Sequence, residues 1–224
     1  MRAKARGKHV SEQDPYRAAR LVLALRQRGV TNIRVLNVVE TTPREPFVPE
    51  GYADMSYDDL TLPIECGQEL SKPTEVGRML QALDVREGDT VLEIGTGTGY
   101  TAAILSKLAR RVYTIDRFRA LTVSARDMIE KADLRNVEVR RADGLLGWPE
   151  AAPFDRILLS GAVTVVPQIL LDQLAPGGVL VSPVEHEAGQ QITRYSFNEN
   201  NEIISRPLGA SKVLPLIPGL AKEL

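Results

Sequence analysis

The run Val91-Leu92-Glu93-Ile94-Gly95-Thr96-Gly97-Thr98-Gly99-Tyr100 sets an apolar strand against a glycine turn, and the helix-forming Ala102-Ala103-Ile104-Leu105 follows directly. A chain with this order is committed to strand, tight turn and helix in succession. The turn's unpaired amides then face outward at a helix N-terminus, a place that favours an anionic or polar ligand. Glycine is needed where the backbone takes positive φ or passes close to a ligand that a Cβ would block. Three alternating glycines weaken a helix start that nothing else requires, so the turn reads as a nucleotide-type cofactor site. Two familiar forms of such a site are disfavoured by residue type. A dinucleotide fingerprint needs glycine or alanine where Tyr100 stands, and a phosphate-binding P-loop needs Gly-Lys-Ser/Thr, which is absent.

What remains is E-x-G-x-G-x-G, with Glu93 at the strand end and a second acid, Asp116, closing the next apolar segment Val112-Tyr113-Thr114-Ile115. Asp116 can there accept hydrogen bonds from both hydroxyls of a ribose, while Glu93 faces the loop. The pattern resembles the S-adenosylmethionine (SAM) site of Rossmann-like methyltransferases, which implies SAM as cofactor and Glu93, Gly95, Thr96, Gly97, Thr98, Gly99 and Asp116 around it. Asp143-Gly144 ends the third strand in register with the two acids. A ligand lying along the carboxyl edge of a parallel sheet would present its adenine there, with Asp143 accepting from the amino group and Gly144 letting the backbone approach. In isolation Asp-Gly is equally a plain turn. Trp148 reads either as a wall for the adenine or as a core or lid residue.

The whole chain sets bounds on this reading. Its 224 residues, 43% hydrophobic and 25% charged, suit a soluble globular protein with one sizeable core. A formal net charge of −1 gives no global field for nucleic acid or anionic membrane, and nucleic acid is disfavoured as a partner. Residues 1–13, with Arg2, Lys4, Arg6 and Lys8, read as a disordered basic tail. The opening is too polar for a signal peptide, and no apolar run approaches the roughly 20 residues of a membrane span, so a cytoplasmic protein away from membranes is expected. Cys66 is the single cysteine, and only His9 and His186 accompany it. Disulfides, a metal site and a Ser-His-Asp triad are therefore disfavoured, the last because His9 lies in the tail and His186 in a polar loop beside Gly189.

Residues 14–224 read as one domain. Within it, 14–89 supplies N-terminal helices and a loop, 90–183 the cofactor-binding core, and 184–224 C-terminal strands. Asp14-Pro15 starts a helix with Ala18, Leu21, Val22 and Leu25 on one face until Gly29, and a second short helix runs through Ile33, Leu36 and Val39. From Pro43 to about Pro73 there is no sustained periodicity, and a loop of that length is uncommon unless it has a use. Pro73 opens a helix through Val76, Met79, Leu80 and Leu83. Strands at 90–94, 111–115, 137–141, 155–160 and 178–183 then alternate with helices at about 98–109, 119–132 and 166–174, with Pro176-Gly177-Gly178 as a stop and turn before the last strand. Such alternation predicts an α/β fold, a doubly wound and mostly parallel sheet. Gln191–Phe197 and Glu202 to about Val213 add an antiparallel hairpin at its edge.

One resemblance spans residue 15 to the C-terminus. Pro43-Arg44-Glu45-Pro46-Phe47-Val48-Pro49, the run from Tyr57 through Gly67-Gln68-Glu69-Leu70-Ser71-Lys72-Pro73, the glycine turn, Ala142-Asp143-Gly144, and Lys212-Val213-Leu214-Pro215-Leu216 together look like protein-L-isoaspartate O-methyltransferases. The resemblance implies SAM-dependent methylation of the side-chain carboxylate of L-isoaspartyl residues in damaged proteins or peptides. Repair then follows through spontaneous succinimide closure and hydrolysis. It maps the active-site serine onto Ser71, which could also help cap the helix opened by Pro73. A monomer is expected.

The chain departs from the family pattern beside that serine. Glu65 replaces a usual glycine, Glu69 a threonine and Leu70 an isoleucine, and Ser160-Gly161-Ala162-Val163-Thr164 replaces a usual Thr-Ala-Ala-Ala-Pro. Carboxylates in the acceptor pocket would repel an isoaspartyl carboxylate unless they point to solvent. The alternatives are therefore a methyltransferase of the same fold with a peptide-tailoring or small-molecule acceptor, or a non-catalytic SAM-binding module. A tRNA-adenine methyltransferase would want a basic surface, and a dehydrogenase lacks a proton donor here.

Overall fold

The first helices form a layer against one face of the sheet. In the computed structural model, which describes residues 15–222, α1 (Pro15–Gln27) and α2 (Ile33–Glu40) pack on each other and on α3 (Pro73–Leu83). The basic tail, His9 and the expected cap Asp14 lie outside the described residues. Gly29 follows α1 at φ 90°, the left-handed conformation that stops a helix. Asn32 caps α2 by accepting from the amides of Arg34 and Val35. Leu21, Leu25, Val35, Leu36 and Val39 join Val76, Met79, Leu80 and Leu83 in one buried cluster, as their spacing predicts.

The aperiodic stretch before α3 is not bare loop. It holds 3-10 turns at Glu45–Phe47 and Glu50–Met55 and a small hairpin of β1 (Leu62–Pro63) and β2 (Glu69–Leu70). Elements of two to six residues are shorter than the windows in which periodicity shows, which is why the sequence conceals them.

Beyond α3 the expected alternation is present: β3 (Thr90–Ile94), α4 (Tyr100–Leu108), β4 (Arg111–Asp116), α5 (Arg119–Lys131), β5 (Val137–Arg141), β6 (Phe154–Leu159), α6 (Gln168–Leu171) and β7 (Leu174–His186). With β8 (Gly189–Phe197) and β9 (Ile203–Ala210) the strands order as β5-β4-β3-β6-β7-β8-β9. The first five are parallel and the last two antiparallel. Side chains alternate across the sheet with the strand period: Val91, Val179 and Val181 enter the cluster with α1–α4, whereas Leu92, Ile94 and Leu180 enter a second cluster with Leu170, Trp148 and Phe154. The direction of winding reverses between β3 and its neighbours β4 and β6, and a crevice opens outside their carboxyl ends.

Four expectations are corrected in the second half. The helix placed at 166–174 is only four residues, because Pro167 precedes it with an extended ψ of 132° and Leu174 already pairs with Phe154. Pro176-Gly177-Gly178 is a bulge within β7 rather than a turn before it; pairing passes from Phe154↔Leu174 to Arg156↔Val179, with Gly177 at φ 74°. His186 is not in a loop but ends β7 opposite Gly189. Finally, β9 stops at Ala210, short of Val213, and the chain returns across the carboxyl edge of the sheet. There Leu216 N donates to Ala162 O at 2.8 Å, and Ala162 N donates to Leu214 O at 2.9 Å.

Candidate active site

The glycine turn needs what only glycine gives freely: Gly95, Gly97 and Gly99 have φ of 99°, 53° and 90°. Asp116, at the end of the neighbouring β4, fixes this shape. Its Oδ2 accepts from Gly97 N at 2.9 Å and its Oδ1 from Phe118 N at 3.0 Å. Burial raises its pKa, against the lowering pull of those amides. Each carboxylate oxygen offers about two acceptor positions, so capacity for the ribose hydroxyls remains.

Glu93 does not face the loop directly. It is fully buried, accepting from Thr114 Oγ1 at 2.7 Å and from Ser160 Oγ at 3.2 Å. Thr114 Oγ1 in turn lies 2.7 Å from Thr96 Oγ1, so a chain of hydroxyls joins Glu93 to the turn. Burial pushes the Glu93 pKa up to about 8, the two hydroxyls oppose the rise, and Asp116 adds to it.

Asp143 and Gly144 follow β5 at the same edge. Asp143 Oδ1 accepts from Leu145 N at 3.0 Å, and Oδ2 accepts from Gly219 N at 2.7 Å, so the returning chain is tied to the residue expected beside adenine. A Cβ at Gly144 would stand 2.4 Å from Ile94 Cγ2, which explains the glycine by backbone approach to the sheet. Trp148 is buried edge-on to Tyr113 and belongs to the core, the second of its two readings. Thr98 stands apart. Its side chain lies in a groove with Phe47, Ile64 and Leu121, where its buried Oγ1 has no partner among the described residues.

Two cavities meet at the sheet edge. One is lined by Ile94, Ile115, Phe118, Gly144 and Leu145, and the other by Ile64, Glu69, Ser71, Ser160 and Gly161. Gln68, Gly95, Asp116, Pro215 and Leu216 line both. The structure thus brings Ser71 and the expected cofactor residues Gly95, Gly97, Asp116 and Gly144 around two adjoining cavities that share a wall. A cleft with mixed walls, a buried carboxylate at a strand end and a tight glycine turn suits an adenosyl cofactor.

Ser71 is half-buried, and its hydroxyl makes no hydrogen bond to the described residues. It does not cap α3. That role falls to Asp59, whose carboxylate accepts from Thr74 N at 2.8 Å and Thr74 Oγ1 at 2.7 Å while Arg28 pairs with it at 3.2 Å. Ser71 is thereby left available for an acceptor. The two unorthodox acids differ: Glu69 is exposed but lines the Ser71 cavity, whereas Glu65 lines only the neighbouring grooves. Sequence reasoning missed Arg44, Asp59 and Gln68. The first two could have been suspected as charged residues in otherwise unpatterned chain, but nothing local tells which of them turns inward.

Fold and site together define a Rossmann-like methyltransferase. The chain also belongs to a family by sequence: residues 16–220 match the family model of protein-L-isoaspartate(D-aspartate) O-methyltransferase (PCMT). A protein-L-isoaspartate O-methyltransferase of Maricaulis maris is 44% identical over 94% of this chain and 98% of its own length. One of Caulobacter vibrioides is 46% identical over 91% and 92%. Among solved structures, a β-aspartate methyltransferase of Plasmodium falciparum in complex with S-adenosyl-L-homocysteine shares the fold at a TM-score of 0.76 and 21% identity, covering 88% of this chain and 97% of that one.

Proposed function

We propose that Ser71 orients the acceptor carboxylate while the Gly95–Gly99 turn, Asp116, Asp143 and Gly144 hold the cofactor. The protein is a SAM-dependent carboxyl methyltransferase acting on L-isoaspartyl residues in protein repair. The observation that carries the division of labour is the shared wall: the Ser71 cavity and the Asp116–Gly144 cavity both open on Gly95.

Bound SAM supplies a methyl group activated by its sulfonium. An isoaspartyl side chain is already ionised at neutral pH, so no general base is required; Ser71 serves as a hydrogen-bond donor and Glu93 is sealed in the sheet. The protein's contribution is alignment. Positioning of this kind supplies on the order of 7–11 kcal/mol when a near-attack geometry is held. Ile64, Leu214 and Leu216 give the Ser71 cavity apolar walls beside its polar ones, a lining that lowers the hydration of a carboxylate whose charge is dispersed as it reacts. Asp116, already held by two backbone amides, can take ribose hydroxyls without rearranging.

The test is methylation with tritiated SAM of a synthetic isoaspartyl peptide beside its normal aspartyl twin. Label on the first alone is expected; equal label on both would refute the acceptor. Glu69 in the Ser71 cavity favours a second reading, a changed acceptor. Binding of S-adenosylhomocysteine with no methylation of any isoaspartyl peptide would select it. No helix among the described residues is long and apolar enough to cross a membrane; a cytoplasmic, monomeric enzyme completes the proposal.

A further inference from the structure

We propose that Arg44 is a positioning residue for methyl transfer, holding Ser71 in place through that serine's own carbonyl. The inference rests on the role given to Ser71 above. Arg44 is fully buried. Its Nη2 donates to Ser71 O at 3.1 Å and Leu60 O at 3.4 Å, and its Nη1 donates to Ser56 O at 3.1 Å and Asp58 O at 3.5 Å. These four carbonyls come from both ends of the segment that carries β1, β2 and the acceptor wall, so one guanidinium closes the segment into a loop. Only a planar fork with five donors in fixed geometry can serve so many carbonyls at once; a lysine ammonium has three donors at a single point.

The same side chain reaches the cofactor side. Its guanidinium carbon lies 5.7 Å from the centre of the Tyr100 ring, and the ring of Phe47 packs against Tyr100 at 5.6 Å. Tyr100 opens α4 directly after Gly99. Arg44 therefore bridges the residue that follows the cofactor turn and the residue that holds the acceptor. Burying a guanidinium is costly, and an apolar side chain would fill the space at less expense in solvation. A structural plug alone does not require this residue type, whereas a multi-carbonyl clip does. Because a displacement of about 1 Å at the reacting atoms can cost on the order of a hundredfold in rate, a clip on the Ser71 backbone bears on turnover.

The experiment is a double-mutant cycle: Arg44→Lys and Arg44→Met, each alone and combined with Ser71→Ala, with kcat and KM for an isoaspartyl peptide and calorimetric affinity for S-adenosylhomocysteine. Expected for either Arg44 variant alone is a kcat about ten- to a hundredfold lower, with KM and affinity within about threefold. In the Ser71→Ala background the further loss should be under about threefold, because the group being positioned is gone. Should Arg44→Met not fold, Arg44→Lys carries the cycle, with retained affinity as its measure of folding. An Arg44 variant that lowers kcat by the same factor in both backgrounds, loses affinity in step with kcat, or turns over as the wild type does would overturn the proposal alone. Ser71→Ala without effect on kcat would instead remove the role of Ser71, and the proposal with it.

Discussion

The two sides of the site are held by opposite chemistry. On the cofactor side, acidic side chains gather backbone amides: Asp116 takes those of Gly97 and Phe118, and Asp143 those of Leu145 and Gly219. On the acceptor side a cation gathers backbone carbonyls, with Arg44 at the centre of four. The first arrangement extends a parallel sheet whose strand ends already point at the ligand. The second gives shape to chain that has almost no regular structure. Changes on the cofactor side should therefore register in cofactor binding, and changes on the acceptor side should leave that binding intact.

The largest effect is expected from pH. Glu93 has a folded pKa of about 8 against an ordinary 4.5, and that of Asp116 is also raised. Between those values the folded state keeps a proton that the unfolded state has lost. This contribution to stability is full below about pH 4.5 and disappears as pH rises through about 8, a change of several kcal/mol at about 1.4 kcal/mol per unit. Melting temperatures measured from pH 5 to 8.5 should fall more steeply for the wild type than for Glu93→Gln. Parallel curves would show that Glu93 is not the group concerned.

Next in size, Asp116→Ala should weaken S-adenosylhomocysteine binding by about 1.5–3 kcal/mol, since a charged acceptor is lost and the amides of Gly97 and Phe118 are released. Calorimetry that finds affinity within twofold of the wild type would remove it from the ribose site. Asp59→Ala tests the other side. Loss of the α3 cap should cost roughly 0.5–2 kcal/mol in urea unfolding, with cofactor affinity unchanged. An equal fall in affinity would mean that the two sides are not separable.

The smallest effect concerns the acids near Ser71. Glu69→Thr should raise kcat/KM for an isoaspartyl peptide by a few-fold, because an exposed carboxylate repels only weakly through solvent. Glu65→Gly, outside that cavity, should change it less. A larger gain from Glu65 than from Glu69 would reverse their assigned places.

The same contrast governs what could be read from the sequence. Strands, helices and the glycine turn of the cofactor side repeat at periods that a string of residues displays, and Glu93, Asp116 and Asp143 each stand at a predictable strand end. Even there, the proline-glycine signal at 176–178 misled, because a bulge and a turn use the same residues. On the acceptor side, Ser71 was reached only through a resemblance. The partners that shape its surroundings are distant in sequence: Arg44 and Ser71 lie 27 residues apart, Asp59 and Thr74 lie 15 apart, and no local pattern marks either pair. The roof from Leu214 to Gly219 is hidden for a different reason: Leu214 to Leu216 stand out only as part of the resemblance, and the bonds of the segment go to Ala162 and Asp143, far away in sequence.

That roof sets an order of assembly. A chain synthesised from its N-terminus has β3, β4 and their carboxylates long before Gly219 exists to meet Asp143 or Leu216 to meet Ala162. A nascent protein can thus build the whole parallel sheet and still lack a wall shared by both cavities. Competence to hold cofactor and acceptor together comes late in synthesis, after the scaffold that carries them.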